Sequence, residues 1–206
     1  MEKKIKGIGY NNDGHIIFVL NEGKGKEYYN NYNLKFKGEY ISGNRWNGIY
    51  YNIKGDIEFE LKDGIGKGRE YDNYGNLIFE GEYINGEKNG KCKEYYNNIL
   101  IFEGEYLNSN IIKKGKEYYY NEKLKYEGEY LNIYKWNGKL YDFNDNIEYN
   151  IQNGKGRIKD YNYDGKLKFE EEYLNGKKNG KCKEYYDNGE LEFEGEYMNG
   201  KKNWKM

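Results

Sequence analysis

The sequence predicts an all-β protein: an elongated repeat array of antiparallel β-hairpins that forms a single twisted sheet. Three observations lead to this prediction. An aromatic residue recurs every 18 to 24 residues, apolar and charged residues alternate around it, and Asn-Gly or Asp-Gly pairs separate many of the segments. The 206-residue chain contains 28 Gly, 27 Tyr and no Pro, and it lacks Ala and Thr. This composition disfavours a helical bundle.

We call the recurring aromatic residue the anchor of its hairpin. The nine anchors are Phe18, Phe36, Phe59, Phe79, Phe102, Tyr126, Tyr149, Phe169 and Phe193. An apolar residue precedes each anchor by two positions, and a glycine follows five of them by two positions. Repetition at this period is typical of repeat arrays. We therefore expect about nine hairpins within a single repeat domain that covers residues 1–206.

A second period of 90 residues relates two halves of the chain. The tract KNGKCKEYY occurs at 88–96 and again at 178–186. We infer an internal duplication of 30–115, called block 1, as 120–205, called block 2. Cys92 and Cys182 are then copies of one structural position, and we expect small buried side chains and no disulfide. In other hairpins we assign this position to Gly25, Gly68, Gly115 and Gly156.

The last complete hairpin indicates how each repeat folds. Two strands, KCKEYY and ELEFEGEY, flank a turn at 187–189 that contains Asn-Gly. Leu191, Phe193 and Tyr197 alternate with glutamates, so period two places the apolar residues on one face and the glutamates on the other. Lysines of the first strand can pair with these glutamates across the sheet, each exposed pair contributing about 0.2–1 kcal/mol. Stacked hairpins would bury the apolar columns, and the glycines would leave room for the rings.

Two phrases resemble the MORN repeat, whose consensus reads Y-E-G-x-W/Y-x-N-G-x-x-x-G-x-G. They are FEGEYINGEKNGKCKEYY at 79–96 and FEEEYLNGKKNGKCKEYYDNGELEFEGEYMNGKKN at 169–203. The pattern Y-Y-x-N-G-x-L is similar to that of the bacterial MORN variant of the YwqK antitoxin type. This resemblance covers about 7–203. It implies stacked β-hairpins and a role in scaffolding, protein–protein contact or phospholipid association.

Catalytic, metal-binding and cofactor-binding sites are not expected. Residues 160–171 fit the EF-hand pattern D-x-N-x-D-G-x5-E, but Asp160 belongs to an acidic column of the repeat and the flanks have strand character. The segment 64–68 lacks the helix and spacing of a phosphate-binding loop. The single histidine, His15, has no serine or cysteine at a comparable position in its hairpin. Carboxylates recur in every hairpin, which we interpret as a solvated charge ladder. The chain is therefore predicted not to be an enzyme.

The aromatic residues supply the candidate partner-binding sites. Trp46 and Trp136 are equivalent in the two blocks and are expected in loops, where exposed Trp residues favour binding hot spots. One tyrosine column is a second candidate, although stacking between hairpins is the alternative reading of it. This column consists of Tyr28, Tyr71, Tyr95, Tyr118, Tyr161 and Tyr185.

A non-catalytic scaffold that binds an unidentified partner protein is the leading functional interpretation. An antitoxin or immunity protein is a narrower alternative, and a carbohydrate-binding or membrane-lipid-binding module is another. Lys201 and Lys202 with Trp204 and Lys205 are the basic cluster that favours lipid binding. With 34 basic and 35 acidic residues, nucleic acid is not an expected partner. Exposed edge strands favour an edge-to-edge homodimer, and no secretory signal is visible, so we expect a cytoplasmic protein.

Overall fold

The computed structural model describes residues 6–109 and 111–203, and all regular secondary structure in these ranges is β-strand. This confirms the predicted all-β class. None of the described residues belongs to a helix able to cross a bilayer. Trp204 and Lys205, part of the predicted lipid-binding cluster, lie outside the described residues. The strands are β1 (Lys6–Tyr10), β2 (Ile16–Asn21), β3 (Lys24–Tyr28), β4 (Leu34–Ile41), β5 (Asn44–Tyr51), β6 (Ile57–Leu61), β7 (Gly66–Tyr71), β8 (Leu77–Ile84), β9 (Glu87–Tyr96), β10 (Ile99–Asn108), β11 (Ile111–Tyr118), β12 (Leu124–Leu131), β13 (Tyr134–Tyr141), β14 (Ile147–Ile151), β15 (Gly156–Tyr161), β16 (Leu167–Leu174), β17 (Lys177–Tyr185), β18 (Leu191–Met198) and β19 (Lys201–Asn203).

The chain packs as two compact units. The N-terminal unit comprises Met1–Ile99 and Tyr106–Ser109, and the C-terminal unit comprises Leu100–Glu105 and Asn110–Met206. Strand β10 therefore contributes residues to both units. Equivalent hydrogen bonds recur inside them 90 residues apart, at the period of the sequence repeat. The hydroxyl of Tyr29 donates to the carbonyl of Tyr51 at 2.8 Å, and that of Tyr119 donates to the carbonyl of Tyr141 at 3.0 Å.

Consecutive strands pair antiparallel within each unit. The N-terminal unit holds the ladders β1–β6 and β7–β9, and the C-terminal unit holds β11–β14 and β15–β19. Between β6 and β7 only the isolated bridge Lys62↔Ile65 remains, and between β14 and β15 only Gln152↔Lys155. The predicted single sheet is thus interrupted once in each unit. At each interruption the strands end at a tight turn. The N–H of Gly64 in the first of these turns donates to the carbonyl of Trp46 in β5, and its carbonyl accepts the N–H of Gly86 in another short turn.

Two kinds of turn lie at opposite ends of the strands. At one end, which we call the short-turn edge, two-residue turns have both residues at positive φ, as in Asn175 (53°) and Gly176 (74°). At the other end, the long-turn edge, five-residue turns often begin with Asn or Asp. Asn162 Oδ1, for example, accepts hydrogen bonds from the backbone N–H of Asp164 and of Lys166 at 3.0 and 2.9 Å. Local side-chain chemistry therefore sets the hairpin connections.

The anchors define the inner face of the sheets, and the opposite face is the outer face. Phe36 has no exposed surface, and its ring lies over the paired glycines Gly38 and Gly48. A Cβ atom at either glycine would be 2.6 Å from the ring. Phe79 and Tyr126 are buried in the same way. The prediction that glycines make room for aromatic rings is confirmed.

Two expectations about the columns are wrong. The apolar column two positions before the anchors is not uniformly buried, because Ile57 and Ile147 are 67% and 57% exposed. The reason is a one-residue register shift beside the long turns, which displaces these positions from the inner-face ladder. Gly156 does not occupy the cysteine position either, because it pairs with Tyr173, and Ile158 stands there instead. The expected burial of both cysteines is confirmed.

Candidate functional site

A column of carboxylates lies on the inner face beside the anchors. Glu27 is the cross-strand partner of Phe36, and Glu117 is that of Tyr126, so each acid shares a face with an aromatic ring. Each accepts a hydrogen bond from a tyrosine of the adjacent strand: Tyr130 Oη to Glu117 at 2.7 Å is representative. The same bond joins Tyr40 to Glu27, Tyr106 to Glu94 and Tyr197 to Glu184.

A cation follows five of the anchors by nine residues and covers the anchor ring. Lys88 Nζ, for example, lies 3.9 Å from the ring centroid of Phe79. Most of these cations also pair with a column carboxylate, as Lys135 does with Glu117 at 2.8 Å. The cations are Arg45, Lys88, Lys135, Lys178 and Lys202. The interpretation of this column as a solvated ladder is therefore wrong, since its members are sequestered in ring–acid–cation clusters.

These partners shift the pKa values of the acids. Burial alone would raise the pKa of Glu27, but hydrogen bonds to Arg45 and Tyr40 and the charge of Arg45 hold it below its ordinary value. Lys135 and Lys125 have the same net effect on the pKa of Glu117, against its burial. These carboxylates therefore stay ionised under neutral conditions and act as structural counter-ions.

The predicted outer-face ladder exists separately. Lys183 Nζ lies 3.1 Å from Glu194, and Lys67 lies 3.6 Å from Glu82, with both lysines substantially exposed. The cross-strand lysine–glutamate pairing expected from the sequence is confirmed there. The inner-face carboxylates are therefore bound in ring–acid–cation clusters, whereas the outer-face glutamates pair with exposed lysines.

Each unit has a groove at its short-turn edge. In the N-terminal unit the groove has a volume of 360 Å³, and Arg45 is among the residues that line it. This guanidinium bonds Glu27 at 2.5 Å and Glu70 at 2.8 Å, and it donates to the hydroxyl of Tyr50 at 3.0 Å. A single cation therefore bridges two carboxylates and a hydroxyl in the wall of this groove.

The equivalent groove of the C-terminal unit is larger, at 590 Å³. Its lining includes buried Ile151 and Ile158, half-buried Phe169 and Tyr173, and Ile133, which is 62% exposed. Four lysines also line it: Lys125, Lys135, Lys177 and Lys178. The first pairs with Asp160 at 2.8 Å, so an apolar floor is surrounded by charged groups.

Glu171 is the one buried charged side chain recorded among the described residues, at 1% exposure. It stands where other hairpins carry the glycine that seats the anchor ring. Lys178 donates to it at 2.5 Å and Tyr173 at 3.1 Å. Burial raises its pKa, and the hydrogen bonds to Lys178 and Tyr173 only partly oppose this effect.

The predicted tryptophan sites are placed differently from the expectation. Trp46 lies in β5 and Trp136 in β13, both half-buried, so the loop assignment is wrong. The carbonyl of Trp46 accepts the N–H of Gly64 at 2.8 Å, and a Cβ at Gly64 would be 2.9 Å from the indole. Trp136 and Gly154 repeat this arrangement. Both rings thus pack against the turns that interrupt the sheets.

The predicted tyrosine column is half-buried at all six positions. Tyr118 donates to Glu103 at 2.6 Å, and Tyr161 donates to both carboxylate oxygens of Glu148 at 3.1 Å. Each of these glutamates precedes an anchor by one or follows it by one, which places it on the outer face. The column is therefore partly covered, and Tyr161 also contacts the ring of buried Tyr119 at a centroid distance of 6.0 Å.

The structure does not group the EF-hand-like residues as calcium ligands. Asp160 pairs with Lys125, Asn162 is used by its own turn, and Glu171 is held by Lys178. No cluster of three metal-ligating side chains exists within the described ranges.

Sequence reasoning missed the large groove, although two signals for it were present. The phrase E-G-E-Y becomes E-E-E-Y at 170–173, and the paired Gly68 and Gly81 of block 1 become Ile158 and Glu171 of block 2. In block 1, Gly81 seats the ring of Phe79 and Gly68 seats that of Phe59, so Glu171 replaces the glycine that would seat Phe169 and Ile158 replaces the one that would seat Tyr149. Phe169 is accordingly half-buried, whereas Phe79 is fully buried.

Comparisons with known proteins identify no family. No family model matches the chain, and no curated protein matches it. Solved structures with some likeness include a TcdB2-TccC3-Cdc42 complex, at 12% identity and a TM-score of 0.24, with 90% of this chain and 12% of that chain covered. A Photorhabdus luminescens Tc holotoxin pore has 11% identity and a TM-score of 0.18, with 92% and 13% covered. This chain spans about an eighth of the length of either.

Proposed function

We propose that this chain is a non-catalytic, MORN-like scaffold that binds a partner protein at its short-turn edge. The observation that carries the proposal is the 590 Å³ groove of the C-terminal unit, with its apolar floor and lysine-lined rim. A concave apolar site with a few placed polar groups is the usual form of a binding pocket. An apolar partner side chain would fill the groove, and a neighbouring carboxylate of the partner would contact the lysines.

Exposed aliphatic side chains beside the short turns support the proposal. In six hairpins the residue five positions after the anchor is aliphatic and 43–59% exposed. Three belong to each unit: Ile41, Ile84 and Leu107, then Leu131, Leu174 and Met198. Exposed apolar groups that recur at one structural position are typical of an interaction surface.

An antitoxin or immunity protein of the YwqK type is a narrower form of the same proposal. It rests on the sequence resemblance and requires a stable one-to-one complex with a toxin. The cytoplasmic location, the lack of enzymatic activity and an edge-to-edge homodimer stay predictions of the sequence.

The proposal can be tested with two matched variants of exposed isoleucines. Ile133 lines the groove and Ile65 lies in the N-terminal unit, and both are 62% exposed. Tagged wild-type protein, Ile133→Asp and Ile65→Asp would be used to recover partners from source-cell extract, followed by mass spectrometry and titration with the purified partner. We expect a stoichiometric protein partner that is lost with Ile133→Asp and retained with Ile65→Asp.

Two results would reject this function. One is equal partner binding by both variants, which would remove the groove from the interface. The other is the absence of any stoichiometric protein partner together with saturable binding to a glycan or to anionic vesicles, which would favour the carbohydrate or lipid alternative.

A further inference from the structure

The long-turn edge of the C-terminal unit carries an exposed aromatic pair. The rings of Tyr120 and Tyr163 stack with a centroid distance of 4.0 Å and an interplanar angle of 23°. They come from the turns at 119–123 and 162–166, and they are 37% and 63% exposed. We call these two residues the tyrosine pair. Such a stack holds a broad ring surface in place at the solvent boundary.

Residues close in sequence to the tyrosine pair, Tyr119 and Tyr161, form a second ring cluster with Phe143. Phe143 in the intervening turn lies 5.4 Å from Tyr119 and 6.5 Å from Tyr161, measured between ring centroids. A Cβ at Gly165 would be 2.6 Å from the Phe143 ring, so this turn also packs closely against it. Rigid aromatic rings suit recognition because little conformational entropy is lost on binding.

Block 1 does not carry this arrangement. The positions equivalent to Tyr120, Phe143 and Tyr163 are Asn30, Ile53 and Asn73. The hydrogen bonds around the turns are otherwise conserved, as shown by Asn31 Nδ2 to Ile53 O and Asn121 Nδ2 to Phe143 O. Folding of the turns therefore does not require the aromatic residues, which points to a role in binding.

Charge around the tyrosine pair selects the kind of partner. The four long turns at 119–123, 142–146, 162–166 and 186–190 contain six acidic residues and two lysines, an excess of four negative charges. Glu122 and Asp164, which belong to the same turns as the pair, are exposed. The turns at 29–33, 52–56, 72–76 and 96–98 of block 1 contain only Lys54, Asp56 and Asp72. Negative charge and aromatic surface thus coincide in one block.

We propose that the tyrosine pair is a docking surface for an arginine-rich or lysine-rich segment of a protein. A guanidinium or ammonium group stacks on the exposed ring of Tyr163, and the surrounding carboxylates attract the remaining positive charges. This surface lies at the edge opposite the groove, so the inference goes beyond the proposed function and does not depend on it.

A fluorescein-labelled peptide of alternating Arg and Gly, nine residues long, is a direct probe. We expect saturable binding that weakens with salt, and no binding of the equivalent Glu-Gly peptide. The double variant Tyr120→Asn, Tyr163→Asn carries the block 1 residues and should weaken binding about tenfold. Tyr120→Phe, Tyr163→Phe keeps both rings and should retain most of the affinity.

Tyr74→Asn is the matched control, because Tyr74 is 81% exposed in a long turn of the N-terminal unit and stacks on no other ring among the described residues. It should bind the Arg-Gly peptide as wild type does. Circular dichroism and thermal unfolding of every variant would exclude misfolding as the cause of a loss.

Unchanged affinity in the double asparagine variant would overturn the inference, as would equal binding of the Glu-Gly peptide. Binding of chitohexaose that depends on the tyrosine pair, without binding of the Arg-Gly peptide, would also overturn it and assign the pair to a carbohydrate. None of these outcomes affects the groove, whose test uses Ile133.

Discussion

The two blocks carry different residues at equivalent inner-face positions beside the anchor ring. In block 1 Gly68 faces Gly81, and the ring of Phe79 lies over Gly81 with no exposed surface. In block 2 Ile158 faces Glu171, and Phe169 is half-buried. The glycine that seats this anchor ring is thus present in block 1 and replaced by Glu171 in block 2. The groove beside this position is larger in the C-terminal unit, at 590 Å³ against 360 Å³.

The cation that bonds the inner-face carboxylates also differs between the two units. Arg45 contacts Glu27, Glu70 and Tyr50, so one guanidinium connects three side chains. In the C-terminal unit this task is divided between Lys135, which pairs with Glu117, and Lys125, which pairs with Asp160. A planar guanidinium can satisfy several acceptors at fixed angles, whereas an ammonium group acts as a point charge. Arg45 therefore joins more side chains in the N-terminal unit than Lys135 or Lys125 does in the C-terminal unit.

Gly81→Glu, which copies block 2 into block 1, should produce the largest loss of stability. Its Cβ would lie 2.6 Å from the Phe79 ring and 2.9 Å from Cys92 Cβ, so the ring must leave its seat. We expect a loss of about 3 kcal/mol or more in the free energy of unfolding, measured with urea. Gly7→Ala is the control, since nothing lies within 4 Å of its Cβ, and it should change stability by less than about 0.5 kcal/mol. A small loss for Gly81→Glu would mean that the ring of Phe79 does not need a glycine at this position.

Arg45→Lys should have the next largest effect. Lysine keeps the charge but cannot reach Glu27, Glu70 and Tyr50 together, so at least one buried acceptor loses its partner. We expect a loss of about 1.5–3 kcal/mol in urea unfolding. The reciprocal variant Lys135→Arg should change stability by less than about 1 kcal/mol, because Lys125 already serves Asp160. Equal losses for the two variants would contradict the proposed difference between the blocks.

The sequence was sufficient to predict the hairpins, but not the contacts of the carboxylates on the inner face. Period-two alternation, Asn-Gly turns and the 90-residue repeat are local or nearly local signals, so the strands, the turn at 187–189 and the glycine seats could be predicted. The buried column of Glu27 and its equivalents could not, because a glutamate beside a lysine in a strand usually faces water. The constant nine-residue spacing from anchor to cation, as from Phe36 to Arg45, was the signal that pointed to it.

Sequence-based prediction of the candidate binding residues was limited in the same way. Trp46 was expected in a loop because Asn-Gly follows it, yet it lies in β5 and packs on the turn at Gly64. The position of Trp46 depends on its contact with the turn at Gly64, 18 residues later in the chain. Hydrophobic periodicity carries no information about such a contact. The tyrosine pair was missed for a similar reason, because Tyr120 and Tyr163 meet only through the stacking of separate turns.

A change of pH should affect the stabilities of Glu27→Gln in the N-terminal unit and Glu171→Gln in the C-terminal unit in opposite directions. The pKa of Glu27 is held below its ordinary value, so its stabilisation is present at neutral pH and is lost as pH falls below about 4.5. The pKa of Glu171 is raised, so its contribution is most favourable at low pH and is lost as pH rises above about 4.5. The stability cost of Glu27→Gln should therefore be larger at pH 7 than at pH 4, and that of Glu171→Gln smaller at pH 7 than at pH 4. Urea midpoints of both variants and wild type at the two pH values would show this, and costs that change in the same direction would contradict it.

The smallest effect on stability is expected from carrying the aromatic residues of block 2 into block 1. Asn30→Tyr, Ile53→Phe and Asn73→Tyr occupy long turns whose backbone hydrogen bonds match those of block 2, so stability should change by less than about 0.5 kcal/mol per substitution. The triple variant should gain a second site for the Arg-Gly peptide, detected as added stoichiometry by calorimetry. That site should be weaker than the original, because the block 1 turns carry two acidic residues where those of block 2 carry six. A second site of equal affinity would show that aromatic surface alone suffices, and no second site would show that the carboxylates are required. Either result would define how ring stacking and charge share the recognition of a basic segment.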